Sequence, residues 1–211
     1  MSARDEILGR IRAGRVAPKP YPGSGPTPQR GQLTGEARKA LFVRMVQQAA
    51  ASIDQAKSRA EVPGLVKAYL SQHNLPAEAR LAPDPRIAGL DWASQPLLDI
   101  SVGGTDGSHP TSVTGAFAGI AETGTIALTS GAPSPTLLNF LPETHIVVVD
   151  SKDLAGTYEE LWQRLKAQHG DAMPRTLNLV TGPSRSADIE QTLLMGAHGP
   201  KRLHIILVDE P

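Results

Sequence analysis

The chain has 211 residues, enough for one domain with a sizeable core, or for one domain with a small appendage. Lysine plus arginine and aspartate plus glutamate balance at 21 each, so no basic field favours a nucleic acid or an anionic membrane surface. The absence of cysteine excludes disulfides, a thiolate nucleophile and an iron–sulfur cluster held by this chain's own thiolates.

The first 31 residues predict a segment separate from the remainder. Ile7, Leu8 and Ile11 follow helical spacing, so a short amphipathic helix is expected over residues 2–14. Residues 16–31 are rich in proline and glycine and predict an extended linker without regular structure. Charges throughout residues 1–15 argue against a signal peptide, and no long apolar run predicts a membrane span. We therefore expect a cytoplasmic protein with a domain at 32–211.

Beyond the linker, the spacing of apolar residues first predicts helices and then strands that alternate with helices. Helices are predicted at residues 36–52, 61–73, 157–168 and 187–195, with a short helix or turn at 135–141. Strands are predicted at residues 80–82, 97–102, 113–114, 119–121, 125–128, 145–149, 176–180 and 203–208, and a short strand is compatible with residues 54–59. Strands alternating with helices predict an α/β fold, with a mostly parallel sheet and helices on both faces.

Ligands of open α/β sheets bind beyond the carboxyl ends of strands, so loops there are the first candidates. Gly103 and Gly104 follow a predicted strand, and their backbone N–H groups are candidates to cradle an anion. The alternative is a flexible turn, because no lysine and no helix follow these glycines. The scattered histidines show no metal-ligand spacing, so no metal site is predicted.

The second candidate is the turn at Glu122, with Gly124 and Thr125 beside it. A carboxylate between small residues and apolar runs is costly to bury unless it is paired. Such a group serves as a nucleophile or general base, or it binds backbone N–H groups in a tight bend. Both interpretations stay open from the residues alone.

The third candidate is the loop containing Ser184 and Arg185, between a predicted strand and a predicted helix. Ser184 or Ser186 suits a helix N-cap. The guanidinium of Arg185 is unfavourable at the positive end of a helix dipole unless it pairs with a carboxylate or phosphate. We expect Arg185 to bind a substrate carboxylate or phosphate, or to pair with Glu122 or Asp188.

A fourth loop contains His198, flanked by glycine and alanine, a candidate for acid–base chemistry near neutral pH or a structural loop residue. If residues 187–195 are helical, this loop enters the last strand at its amino end, away from the third loop. That arrangement would argue against a site shared by His198 and Arg185 within one subunit.

Two stretches resemble one known family. Residues 121–125 (Ala-Glu-Thr-Gly-Thr), with the later Leu141-Pro142 and the strand 145–149, are similar to the LUD-domain family. Residues 181–190 (Thr-Gly-Pro-Ser-Arg-Ser-Ala-Asp-Ile-Glu), with 196–200 (Gly-Ala-His-Gly-Pro) and 203–208, resemble its second signature, in the lactate utilisation protein C branch. The resemblance covers roughly residues 36–209, with Ser186 and Ala197 as mild departures.

The resemblance implies a fold like that of ribose-phosphate isomerase, glucosamine-phosphate deaminase and coenzyme A transferases. It also implies a non-redox subunit in the oxidation of L-lactate to pyruvate, with iron–sulfur clusters on two partner proteins. Two alternatives remain. One is a free-standing isomerase or coenzyme A transferase-like enzyme that uses Glu122 on a small anionic substrate, and the other is a non-catalytic assembly or regulatory module. A homo-oligomer is compatible with each of them.

Overall fold

A computed structural model describes residues 3–14, 29–170, 172–189, 192–195 and 198–210. Its α-helices are α1 (Ala3–Ala13), α2 (Gly35–Gln48), α3 (Val62–Gln72), α4 (Pro85–Ala88) and α5 (Tyr158–His169). The strands up to the sixth are β1 (Ser52–Ser58), β2 (Glu78–Leu81), β3 (Asp99–Val102), β4 (Thr111–Gly115), β5 (Ala118–Ile120) and β6 (Thr125–Thr129). The others are β7 (Thr144–Asp150), β8 (Leu154–Ala155), β9 (Leu177–Val180), β10 (Arg185–Ile189), β11 (Thr192–Met195) and β12 (Arg202–Glu210).

A six-stranded parallel sheet forms the centre of the fold, in the order β1-β12-β7-β4-β2-β3. The neighbouring strands β12 and β7 are buried on both sides, as their largely apolar sequences predict. Ile146 and Val148 of β7 join a core cluster with α3, whereas Val147 and Val149 join one with α2. Successive side chains of β7 point to opposite faces of the sheet, so α3 packs on one face and α2 on the other. This arrangement confirms the predicted α/β fold.

A second, four-stranded sheet lies beyond α2, in the order β8-β5-β6-β9. Its β5–β6 and β6–β9 pairs are antiparallel. Ile126 and Leu128 of β6 pack towards the central sheet and α2, whereas Ala127 packs with Leu161 of α5. The sequence predicts strands here but not that they form a sheet of their own.

The central sheet has a switch point between the neighbouring strands β2 and β4. After β2 the chain crosses to the α3 face, where Ile87 and Trp92 join the core cluster. After β4 it crosses to the α2 face, where Ala116 and Ala121 join the other cluster. Departures to opposite faces leave a crevice at the carboxyl ends of these two strands.

One predicted element is wrong. The sequence predicts a helix over residues 187–195, but the described residues of this segment lie in the antiparallel strands β10 and β11. A short apolar group such as Ile189, Leu193 and Leu194 fits either a helical stripe or a strand pair, so its spacing does not decide between them. The predicted linker lies largely outside the described residues, although Gln29–Gln32 form a 3-10 turn with Gly31 buried.

No helix in the described part of the chain has the length and apolar character needed to cross a membrane.

Two buried histidines predict how stability depends on pH. Burial lowers the pKa of His145 to about 3. Burial also lowers the pKa of His204 to about 4, and outweighs Asp54, whose carboxylate lies 3.5 Å away. Both imidazoles are therefore neutral in the native state, whereas unfolded histidine binds a proton below about pH 6.5.

The free energy of unfolding is expected to fall as pH drops from about 6.5 towards 4, because only the unfolded state gains these protons. Between pH 7 and pH 5 the loss is roughly 2 kcal/mol for each histidine. Urea denaturation at the two pH values measures it. H145Q should show about half the wild-type loss, and H198Q, which changes an exposed histidine, should keep all of it. A wild-type stability that does not change over this range would contradict the assignment.

Candidate functional site

A cavity of about 300 Å³ opens at the amino edge of the central sheet. We call it the amino-edge cavity. His145 and Leu203, near the starts of β7 and β12, form its floor, and Val180 at the end of β9 forms one side. Its remaining walls are the segment around Asn139 and Phe140, the loop 181–185 and the loop 198–200.

Two loops that the sequence places apart meet at this cavity. The Ser184 backbone N–H donates to the Pro200 carbonyl at 2.9 Å, and the His198 N–H donates to Ser184 Oγ at 3.2 Å. The expectation that the His198 loop lies away from the Arg185 loop is therefore wrong. The hairpin explains the difference, because its second strand returns the chain to where its first strand began, whereas a helix would carry it across the sheet.

The charge of the amino-edge cavity is positive. Arg185 is exposed at its rim, and none of the described residues that line it is acidic. His145 adds no charge at neutral pH, because burial lowers its pKa to about 3. A guanidinium without a carboxylate beside it in the wall is suited to a ligand that brings its own carboxylate or phosphate.

Two polar side chains that the sequence did not predict line the cavity, Asn139 in one wall and His145 in the floor. Asn139 is 1% exposed, and neither its Nδ2 nor its Oδ1 has a hydrogen-bond partner. His145 is fully buried; Nε2 lies 2.7 Å from Thr114 Oγ1, while Nδ1 has no partner. Buried polar atoms without partners are uncommon and destabilising, so those of a cavity wall indicate a place for a polar ligand or water. Two sequence signals could have indicated them. Asn139 stands among four apolar residues, and His145 begins an apolar strand.

Glu122, the predicted catalytic carboxylate, is not among the residues that line the amino-edge cavity. It is 5% exposed at the start of α5, where Oε1 accepts a hydrogen bond from the Tyr158 N–H at 3.2 Å. A carboxylate at this position suits the positive end of the helix dipole. The structure therefore does not bring Glu122 and Arg185 into one cavity.

The residues next to Glu122 build a tight turn against α2. Gly124 has φ +68°, and a Cβ there would lie 2.5 Å from the Met45 carbonyl carbon. Thr125 Oγ1 lies 2.6 Å from Thr181 Oγ1 and 3.0 Å from the Tyr158 hydroxyl. These hydroxyls connect the turn to α5 and to the loop that leads into the amino-edge cavity.

Gly103 and Gly104 lie at the carboxyl end of β3, on the far edge of the central sheet. The Arg80 side chain occupies this loop. Its Nε donates to the Gly104 carbonyl at 2.7 Å, and a Cβ on Gly103 would lie 2.6 Å from Nη2. Neither glycine lines the amino-edge cavity. In the described part of the chain, no group of three histidine, aspartate or glutamate side chains is arranged to hold a metal ion.

Comparison with known proteins supports the resemblance. The sequence profile described as "LUD domain" matches residues 107–208, which contain both signature stretches and all the residues that line the amino-edge cavity. Just under half of this chain is therefore similar to the LUD domain. The predicted resemblance is confirmed.

Relatives of the LUD domain include proteins called "Lactate utilization protein C". Those from Halalkalibacterium halodurans and Macrococcus caseolyticus are each 36% identical over 93 residues, which is 43% of this chain and 40% of the relative. The chain thus spans about two fifths of the length of these curated relatives. A crystal structure of a DUF162 family protein from Deinococcus radiodurans superposes with a TM-score of 0.64 at 25% identity, and covers 83% of this chain and 99% of that one.

Proposed function

We propose that this chain takes part in lactate utilisation as a subunit without a redox group, and that its amino-edge cavity binds the carboxylate of L-lactate. Two findings support the proposal. Relatives of this chain include proteins called "Lactate utilization protein C", and the cavity next to the second signature holds a guanidinium and no acidic side chain among the described residues.

Arg185 supplies the first contact in this proposal. A carboxylate accepts two parallel N–H bonds from a guanidinium, which fixes its orientation as well as its position. Ser184 stands beside Arg185, and its Oγ is held by the His198 backbone N–H. His198 also lines the cavity, and its predicted acid–base role belongs to the same proposal.

Asn139 and His145 supply the second set of contacts. The lactate carboxylate and hydroxyl together offer donors and acceptors, which are what the unpartnered amide and imidazole nitrogen require. A ligand that satisfies them offsets the cost of burying them without partners. This cost in the free protein is typical of a binding site.

In this proposal the electrons leave through another protein. Oxidation of L-lactate to pyruvate removes two electrons and two protons, and this chain has no cysteine with which to hold an iron–sulfur cluster. We propose that two iron–sulfur partner proteins accept the electrons and that this chain binds and orients the substrate.

The test is reconstitution. The chain is purified together with candidate iron–sulfur partner proteins from the same organism, and L-lactate-dependent reduction of a dye is measured with each protein omitted in turn. We expect oxidation only when all are present. Full activity without this chain, or turnover of a sugar phosphate or acyl-thioester by the chain alone, would contradict the proposal and favour one of its alternatives.

Asn139 should show a conflict between stability and binding. We expect N139L to leave the free energy of unfolding unchanged or to raise it by about 1 kcal/mol, because an unsatisfied amide is replaced by an apolar group of similar size. The same variant should bind L-lactate at least 10-fold more weakly in calorimetry. N178L is the matched control, since Asn178 also has a buried unpartnered Nδ2 but does not line the cavity. Equal lactate affinities for N139L and wild type would remove Asn139 from the site.

A further inference from the structure

The switch point between β2 and β4 holds a second cavity, of about 560 Å³. We call it the carboxyl-edge crevice. It lies across the central sheet from the amino-edge cavity, and it is lined by residues at or after the ends of β2 (Asp84, Arg86), β4 (Gly115, Phe117) and β6 (Ser130, Ser134). The end of α5, at His169, and Asp153 after β7 close it. Neither the lactate proposal nor the family resemblance uses these residues.

An ion pair forms one wall of the crevice. Asp84 Oδ2 accepts from Arg86 Nη2 at 2.7 Å, and Oδ1 accepts from the Arg86 backbone N–H at 2.9 Å. Burial would raise the pKa of Asp84, but these hydrogen bonds outweigh it and lower the pKa, so the pair is charged. The Arg86 side chain remains 46% exposed, while that of Asp84 is 9% exposed. The guanidinium is thus fixed along one edge and open along another.

Gly115 is necessary for this wall. A Cβ there would lie 2.8 Å from Asp84 Oδ2 and 3.1 Å from Arg86 Nη2. Only a residue without a side chain lets the ion pair lie directly over the strand backbone. The glycine therefore belongs to a cradle for polar groups at the end of β4.

Two other lining residues have polar atoms without partners. Ser134 Oγ and His169 Nε2 are buried and have no hydrogen-bond partner. The Phe117 ring lies 6.0 Å from the His169 ring, between centroids, and offers an apolar surface beside them. Burial and the nearby Asp150 raise the pKa of Asp153, a further carboxyl group of the lining.

The charge of the crevice selects its ligand. Asp84 neutralises Arg86, and Asp153 adds a carboxyl group, so the lining has no excess positive charge, unlike the amino-edge cavity. An anion would gain little here. A hydroxyl group both donates and accepts hydrogen bonds, so several hydroxyls on one molecule can bind the carboxylate, the guanidinium, the imidazole nitrogen and the serine of this lining. The C–H groups of the same molecule can pack against the aromatic ring.

We propose that the carboxyl-edge crevice is a second binding site, for an uncharged polyhydroxylated small molecule such as a polyol or sugar. Vicinal hydroxyls bind the exposed edge of Arg86 and the Asp153 carboxyl group. Ser134 and His169 complete the set, and Phe117 packs on the carbon skeleton. The volume accommodates a molecule of one or two sugar rings. This proposal does not depend on lactate binding.

The test is amide NMR on the full chain, with glycerol, xylitol, D-glucose and maltose added one at a time up to 100 mM. At least one is expected to bind in the millimolar range and to shift the signals of Gly115, Ser134 and His169. G115A should weaken that binding at least 10-fold, because a methyl group enters the cradle.

S134A gives a second readout that does not disturb the strand, and it should weaken binding at least 3-fold. S71A, which changes an exposed serine on α3, is the control and should bind as the wild type does. The proposal is overturned if none of the four compounds shifts these signals. It is also overturned if inorganic phosphate or L-lactate shifts them while the neutral compounds do not, or if the affinities of G115A and S134A match the wild type.

Discussion

Replacing Arg185 by glutamine is expected to lower L-lactate-dependent dye reduction in the reconstituted system by about 100-fold at subsaturating lactate. A hydrogen-bonded charge pair between guanidinium and carboxylate contributes roughly 1.5–3 kcal/mol, and each 1.4 kcal/mol corresponds to tenfold. No other arginine and no lysine is among the described residues that line the cavity, and His145 adds no charge because burial lowers its pKa to about 3. The loss should appear mainly in KM, since the contact is already made with the bound substrate.

Two further variants separate charge from geometry at position 185. R185K keeps the charge but presents a single ammonium group, so it should recover only part of the activity. R175Q removes the same charge from an exposed residue before β9, at the other end of the strand that leads to the cavity, and should behave as the wild type does. Equal losses in R185Q and R175Q would show that net charge, not a carboxylate contact, is responsible.

Replacing Gly124 by alanine is expected to destabilise the fold by about 2–4 kcal/mol. At φ +68° a side chain costs roughly 1 kcal/mol in backbone strain. The added Cβ also collides with the backbone at the end of α2, 2.5 Å from the Met45 carbonyl carbon, and overpacking of this kind costs about 1–3 kcal/mol. Urea denaturation at pH 7 measures the change.

Gly170 provides a control without a collision. Its φ is +53° and its ψ is −126°, and a Cβ there meets no atom within 4 Å. G170A therefore reports a backbone cost without any collision, about 1–3 kcal/mol. If G124A loses no more than about 1 kcal/mol, the backbone cost of the left-handed conformation alone, the turn at Glu122 does not pack on α2 as described.

The central sheet was the part of the fold that local sequence predicts best. Residues 145–149 and 203–208 are apolar at every position but His145 and His204, and the strands they form lie side by side with both faces covered. A continuous apolar segment of this kind is stable in few arrangements other than a strand covered on both faces, because exposing either face to water would be costly. The second sheet was only partly predictable, because its pairings join residues far apart, such as Ile126 and Val180.

The site was predicted unevenly, for physical reasons. Ser184, Arg185 and His198 stand out in a sequence because polar side chains among glycines and prolines have few structural explanations. Their meeting was not foreseen, because residues 187–195 suit a helix locally, and only the hairpin brings their flanking loops together. Asn139 and His145 were missed because each sits in an apolar stretch, where burial, not the residue type, gives it significance.

Glu122 illustrates the opposite case. An acidic residue between small ones suggested chemistry, and its predicted catalytic role stays a prediction. The structure accounts for the residue by its hydrogen bond from the Tyr158 N–H at the start of α5. A buried carboxylate held by a helix terminus needs no substrate to explain it.

The most direct test of the central claim is a titration of the full chain with L-lactate, followed by amide NMR. Binding at the amino-edge cavity should shift the signals of Ser184, Arg185 and His198, and R185Q should abolish these shifts up to 50 mM lactate. No shift in the wild-type chain, the same shifts in R185Q, or shifts confined to the carboxyl-edge crevice or the turn at Glu122 would contradict it.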